Sequence, residues 1–194
     1  LLASGEFFEE PVTREIQLKS EYLSGNVVRK LQIARELAPQ NVPALEAVQP
    51  KPLRIEEIDF QLGSFWIPPE IVQNWLETSF ETRCRVSYAK AEDKWYVTAD
   101  FAERYSVTEF QIADWNLFRL VEAALNLKEP AVYRKEYDAD NEEKLVLNQE
   151  ATLTARRYKN ELKNRFRNYV MDSPEAAEQL ENIYNAIFNS HVTR

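Results

Sequence analysis

Arg156, Lys159, Lys163 and Arg167 recur at intervals of three and four residues, which an α-helix gathers on one face. Between Ala155 and Asn168 there are six basic residues and one acidic, Glu161. A row of cations about 5–6 Å apart can follow a phosphate backbone, each neutralised phosphate releasing counterions. These four are the candidate DNA-binding residues. The alternative is a solvated helix face whose cations lie toward the C-terminal end, where the helix dipole favours them. With 24 Lys plus Arg against 32 Asp plus Glu, the whole chain is acidic, at net charge −8. Most nucleic-acid-binding domains are basic. Binding through the row is therefore expected to be weak, sequence-independent and salt-dependent, with a log–log slope of roughly −3 to −4 for about four phosphate contacts.

No other grouping carries chemistry as well. Asp138-Ala139-Asp140-Asn141-Glu142-Glu143 places acidic groups as a calcium loop would. It lacks the glycine of the sixth position and the bidentate glutamate of the twelfth, and reads as an acidic hairpin turn. Trp115 falls on the polar side of its helix near Arg119 and Glu122; it reads as a ring packed on the preceding loop rather than one stacking a base. One cysteine, Cys84, and one histidine, His191, cannot build a Cys/His zinc site, and neither forms a nucleophile–base pair. The three glycines Gly5, Gly25 and Gly63 stand far apart, whereas phosphate-cradling loops need glycines clustered. No catalytic residue, cofactor or metal ligand is expected. No apolar run approaches the ~20 residues of a membrane span. The only methionine is Met171. The sequence reads as a segment of something longer.

The elements that would position these residues follow from periodicity. Residues 1–22 show no clear period and read as an extended lead-in; residues 23–194 read as a single domain. Val27, Leu31, Ala34 and Ala38 predict a helix after Ser24-Gly25-Asn26, ended by Pro39. A short helix from Pro43 to Val48 follows, then a turn near Arg54–Ile58. Trp66-Ile67-Pro68-Pro69-Glu70 opens a helix buried through Ile71, Val72, Trp75, Leu76 and Phe80. Residues 83–88 and 95–98 alternate as a β-hairpin, and residues 132–137 with 144–147 as a second. Between them Asp114 is the expected N-cap of a helix packed through Leu117, Phe118, Val121, Ala124 and Leu125. Asn148 is the expected cap of a long helix to about Val170. Its apolar stripe, Ala151, Ala155, Tyr158, Leu162, Phe166 and Tyr169, is expected to face the final helix. That last helix begins at Ser173-Pro174 with the stripe Ala176, Leu180, Ile183, Tyr184, Ile187 and Phe188. The class is α+β: mainly helical, with two antiparallel hairpins and a long C-terminal helical pair.

Several short motifs occur in an order seen elsewhere. They are Glu21-Tyr22-Leu23-Ser24-Gly25-Asn26-Val27 with Arg29-Lys30-Leu31, then Leu62-Gly63 with Trp66-Ile67-Pro68-Pro69-Glu70. Leu125-Asn126-Leu127, Val146-Leu147-Asn148, Tyr184-Asn185 and Phe188-Asn189 complete the set. Together they resemble the central region of large phage and conjugative-element proteins that join an adenine-specific DNA methylase to a superfamily-two (Snf-type) DNA helicase. The resemblance covers roughly residues 20–190. It implies a cytoplasmic accessory domain with DNA and the flanking methylase and helicase regions as partners, and no membrane. It transfers no catalytic residue, because the phosphate loop and the methylase tetrapeptide are both missing from this sequence. The two readings are a module that contacts DNA and a scaffold that orients the flanking parts. A pure sample should neither hydrolyse ATP nor transfer methyl groups; DNA-stimulated ATPase activity would refute this.

Overall fold

The computed structural model describes residues 5–193. In chain order the elements are β1 (Phe7–Glu9), β2 (Ile16–Leu18), α1 (Lys19–Tyr22), β3 (Gly25–Asn26), α2 (Val27–Leu37) and α3 (Val42–Glu46). They continue with α4 (Pro69–Phe80), β4 (Arg85–Ala89), β5 (Lys94–Thr98), α5 (Phe101–Arg104) and α6 (Leu117–Leu125). Then come β6 (Tyr133–Tyr137), β7 (Glu143–Leu147), α7 (Gln149–Asp172), α8 (Pro174–Phe188) and β8 (His191–Val192). The strands pair as β1–β2, β3–β8, β4–β5 and β6–β7, each a two-stranded antiparallel ladder. The class is α+β, with both expected hairpins and the helices α7 and α8 at the C-terminal end. The ladders β1–β2 and β3–β8 were not anticipated; strands of two or three residues are too short to show a period. Among the described residues no helix is long and apolar enough to cross a membrane.

The chain divides into two compact units, one of residues up to Ile58 with those from Glu178, the other Asp59–Ala177. Both divisions fall inside the stretch expected as one domain. In the first unit, the expected lead-in is built structure from Phe7 on. Tyr22 is wholly buried with Leu31, Ala34 and Leu45, and Phe8 stacks on its ring at 5.0 Å. Asn41 donates to the Tyr22 hydroxyl at 3.1 Å and to the Glu9 carbonyl at 3.1 Å. Asn26 caps α2 by accepting from the Arg29 N–H at 2.9 Å, and Pro39 follows the helix as expected. Lys30 reaches back past the start of α2 and donates to the carbonyls of Tyr22 (2.9 Å), the last residue of α1, and of Ser24 (3.0 Å), where the end of that short helix leaves carbonyls without helical partners. Within this unit α8 buries Leu180, whereas Ile187 and Phe188, placed on the apolar stripe, are about half exposed (49% and 47%).

In the second unit α6 is buried at seven of its nine positions and forms the centre. Its cap is Asn116, which accepts from Arg119 N–H at 3.0 Å. Asp114, the expected cap, lies two residues before Asn116 and instead pairs with the Arg119 guanidinium. α4 opens on Pro68-Pro69 and buries Ile71, Val72, Trp75 and Leu76, as the spacing predicts. α7 begins at its expected cap, the Asn148 side chain accepting from Ala151 N–H at 3.1 Å. The stripe of α7 packs on α6 and α4. The final helix, its expected partner, belongs from Glu178 on to the other unit. At the α4–α7 junction the Trp75 ring meets Phe166 edge-on at 5.3 Å, and Phe60 meets Phe166 at 6.3 Å.

Leu162 is fully buried in this stripe, and Leu153 is 66% exposed on the same helix. Leu162→Ala should destabilise by about 2–5 kcal/mol in urea unfolding, and Leu153→Ala by less than about 0.5 kcal/mol. Equal effects would refute the assignment of the buried face.

Candidate functional site

The basic residues of α7 do not stand together as a row facing solvent. The buried stripe runs Thr152, Ala155, Lys159, Leu162, Phe166 and Val170. Lys159 lies four residues after Ala155 and three before Leu162, so the helix turns it inward, and it is 5% exposed. Its ammonium is ion-paired with Glu129 and also donates to the Lys128 carbonyl at 3.3 Å. Arg156, exposed at the surface, approaches the same Glu129 carboxylate at 3.7 Å and donates to the Pro130 carbonyl at 3.4 Å. Arg167 is half-buried; its guanidinium lies over the Phe60 ring at 5.0 Å and donates to the Phe60 carbonyl at 3.4 Å. Lys163 is half-buried and adds its charge to the field that Lys159 and Arg156 create around Glu129. That field, led by the Lys159 hydrogen bond, holds the Glu129 carboxyl below its ordinary value of 4.5. Elsewhere on the helix Arg165 is paired with Glu109 and, at 2.8 Å, with Glu161.

The remaining candidates also have structural partners. Trp115 donates its indole N–H to the Ala131 carbonyl at 3.1 Å, and the Arg119 guanidinium covers its ring at 4.1 Å. The ring is packed, as expected, but Trp115 precedes α6 instead of lying on it, and its indole partner follows α6 where the preceding loop was expected. In the acidic segment Asp138 accepts from the N–H groups of Asp140 and Glu142, both at 3.0 Å, and Asn141 takes a left-handed conformation at φ 59°. The turn is closed on itself, as an acidic hairpin turn should be. Among the described residues no three His, Cys, Asp or Glu side chains gather where they could hold a metal ion. Burial, with Glu77 and Glu103 nearby, pushes the Cys84 thiol up to about 11, so it stays protonated at neutral pH. His191 lies in β8 opposite Asn26, its Nδ1 2.9 Å from the Ser190 hydroxyl.

Residues 61–190 match the family described as "Domain of unknown function (DUF8437)". The chain belongs to this family. No curated protein and no solved structure matches it.

Within the DUF8437 region the motif residues quoted above turn out to hold backbone. Asn126 accepts from the Trp95 N–H and donates to the Trp95 carbonyl, both at 2.9 Å, pairing with β5 as a neighbouring strand would. Asn185 does the same with Leu53, at 2.8 and 2.9 Å. Asn189 donates to the Lys51 carbonyl and to Asn185, both at 2.8 Å, and Asn148 caps α7. Gly63 has φ 97°; a Cβ there would lie 2.8 Å from Leu127 and 3.0 Å from the carbonyls of Ala124 and Leu125. Only glycine permits that approach to the end of α6. Sequence reasoning missed Glu129, a lone acid between α6 and β6 with no periodic signal. The signal that could have found it is Lys159 itself, a cation at a stripe position that needs a counter-charge.

Because Lys159 is buried and Glu129 is the carboxylate paired with it, the two should respond unequally to replacement. Lys159→Met should be near neutral in urea unfolding, since it removes the buried charge together with the need for a partner. Glu129→Ala should destabilise by about 1–3 kcal/mol, less than a fully buried pair because Glu129 is 59% exposed. Glu129's lowered folded pKa contributes stability that is present above 4.5 and lost as the pH falls through the folded value. Glu129→Gln should flatten that acid-side decline. The opposite ranking of the first two variants would refute the pairing.

Proposed function

We propose that the chain is a non-catalytic accessory segment that acts as a structural scaffold, orienting catalytic parts that flank it in a methylase–helicase fusion from a mobile element. The observation that carries this is the use of the shared motif residues. Asn26, Asn126, Asn148, Asn185, Asn189 and Gly63 cap helices, substitute for strand partners or permit close packing. A segment in which six motif residues serve its own backbone and packing is one whose shape is what matters. The arrangement around Glu129 supports the same reading, because it places a carboxylate where a phosphate-tracking row would need open cations. The context of methylase and helicase rests on the motif resemblance, as does the cytoplasmic setting.

The alternative, weak DNA contact through Arg156, Lys159, Lys163 and Arg167, makes a different forecast for one titration. Mixed-sequence duplex followed by fluorescence anisotropy at low salt should show no saturable binding. Calorimetry against separately produced flanking methylase and helicase regions should show binding to at least one. Duplex binding with a salt slope of roughly −3 to −4, lost in the Arg156→Glu, Lys163→Glu double variant, would replace the scaffold reading with the DNA-contact one.

A further inference from the structure

The two long hairpins of the second unit are treated very differently by the fold. Around β4–β5 the outward-facing N–H groups are met by helix side chains. On the β4 side Gln73 accepts from Val86 (3.2 Å) and Glu77 from Cys84 (3.4 Å). On the β5 side Asn126 accepts from Trp95 (2.9 Å) and Glu122 from Val97 (2.8 Å). Around β6–β7 no described side chain plays this part for β6. All five β6 residues are exposed, and four of five in β7.

Which groups of β6 face outward is fixed by two bonds. Asp138 N–H donates to the Glu142 carbonyl (3.2 Å), and Asn148 N–H to the Val132 carbonyl (2.8 Å). With Tyr133 opposite Leu147 and Tyr137 opposite Glu143, antiparallel alternation points the backbone groups of Tyr133, Lys135 and Tyr137 away from β7. The same register puts Tyr133, Tyr137, Leu145 and Leu147 on one face of the hairpin, all exposed, together with the Lys135–Glu143 ion pair. A lone two-stranded ribbon with such an open, largely apolar face is marginal in water; further strands stabilise it.

Set antiparallel to a copy of itself, the strand Tyr133-Arg134-Lys135-Glu136-Tyr137 is complementary: tyrosine meets tyrosine and arginine meets glutamate. We infer that β6 pairs antiparallel with β6 of a second copy of this chain, about a two-fold axis at Lys135, to make a four-stranded sheet. In that register each outward N–H and carbonyl of Tyr133, Lys135 and Tyr137 finds a partner. Arg134 and Glu136, already ion-paired within each strand at 2.6 Å, lie opposite the second copy's Glu136 and Arg134 at the closer-spaced kind of pair, so the two pairs join into one four-membered network, and Tyr133 lies opposite Tyr137. The two central Lys135 side chains each already have Glu143 at 2.8 Å. The acidic turns, Asp138 to Glu142, point to opposite ends of the sheet and so do not repel one another. β7 offers no such match: centred on Leu145 it sets Lys144 against Val146 and Glu143 against Leu147.

Sedimentation velocity over a concentration series, up to the solubility limit, tests this. Wild type should shift from monomer to dimer with concentration. Lys135→Pro should stay monomeric with unchanged circular dichroism, because that N–H faces away from β7 and proline is tolerated at such an edge. Arg134→Glu and Glu136→Arg should each raise the dimer dissociation constant at least about tenfold, since each sets like charges opposite one another. An equimolar mixture of these two variants should dimerise again, which loss of folding alone would not allow. The inference is overturned if wild type remains monomeric throughout, if dimers persist in Lys135→Pro, or if the mixture fails to recover.

Discussion

A two-stranded ladder leaves one row of N–H and carbonyl groups on each strand without a partner, and among the described residues there is no larger sheet to absorb them. The second unit is organised around that deficit. α4 and α6 lie beside β4–β5 and present Gln73, Glu77, Glu122 and Asn126 to the strand edges. Those polar side chains determine how the helices sit against the hairpin as firmly as their apolar faces do. α7 then covers the other sides of α4 and α6, with Trp75, Phe60 and Phe166 meeting at the α4–α7 contact.

The same economy accounts for where many polar side chains of the described residues are spent. Carboxylates and amides that could have converged on a substrate are directed at backbone instead. Lys30 closes the carbonyls after α1, Glu181 accepts from the Ile55 N–H at 2.8 Å, and Asn185 pairs with Leu53. Ion pairs take up others: Lys159 and Arg165 of α7 are paired with Glu129 and Glu109 from other segments.

Long periodic stretches were readable from sequence. The helices at Val27, Pro69, Leu117 and Gln149, the two long hairpins, and the cap Asn148 all follow from spacing and capping chemistry. What failed did so for identifiable reasons. Asp114 and Asn116 are both good caps, and only the tertiary placement of Arg119 beside Asp114 decides between them. Lys159 was placed on the cation side because its charge was weighed above its position between Ala155 and Leu162. Residues 7–22 have no period because their strands are three residues long, and Tyr22 gave no sign that it anchors a core. A lone glutamate in a loop, Glu129, carries no pattern at all.

The first unit is assembled from two distant parts of the chain. β3 waits for β8, and Lys51, Leu53 and Ile55 wait for Asn189, Asn185 and Glu181. All of Asp59–Ala177 lies between them. During synthesis the second unit therefore leaves the ribosome whole and folds before the first has its full set of residues. The consequence is kinetic. The N-terminal hairpin and α2 must wait through translation with their ladder and loop partners missing, and the last step of folding is the arrival of α8 and β8 on a surface that has been waiting for them.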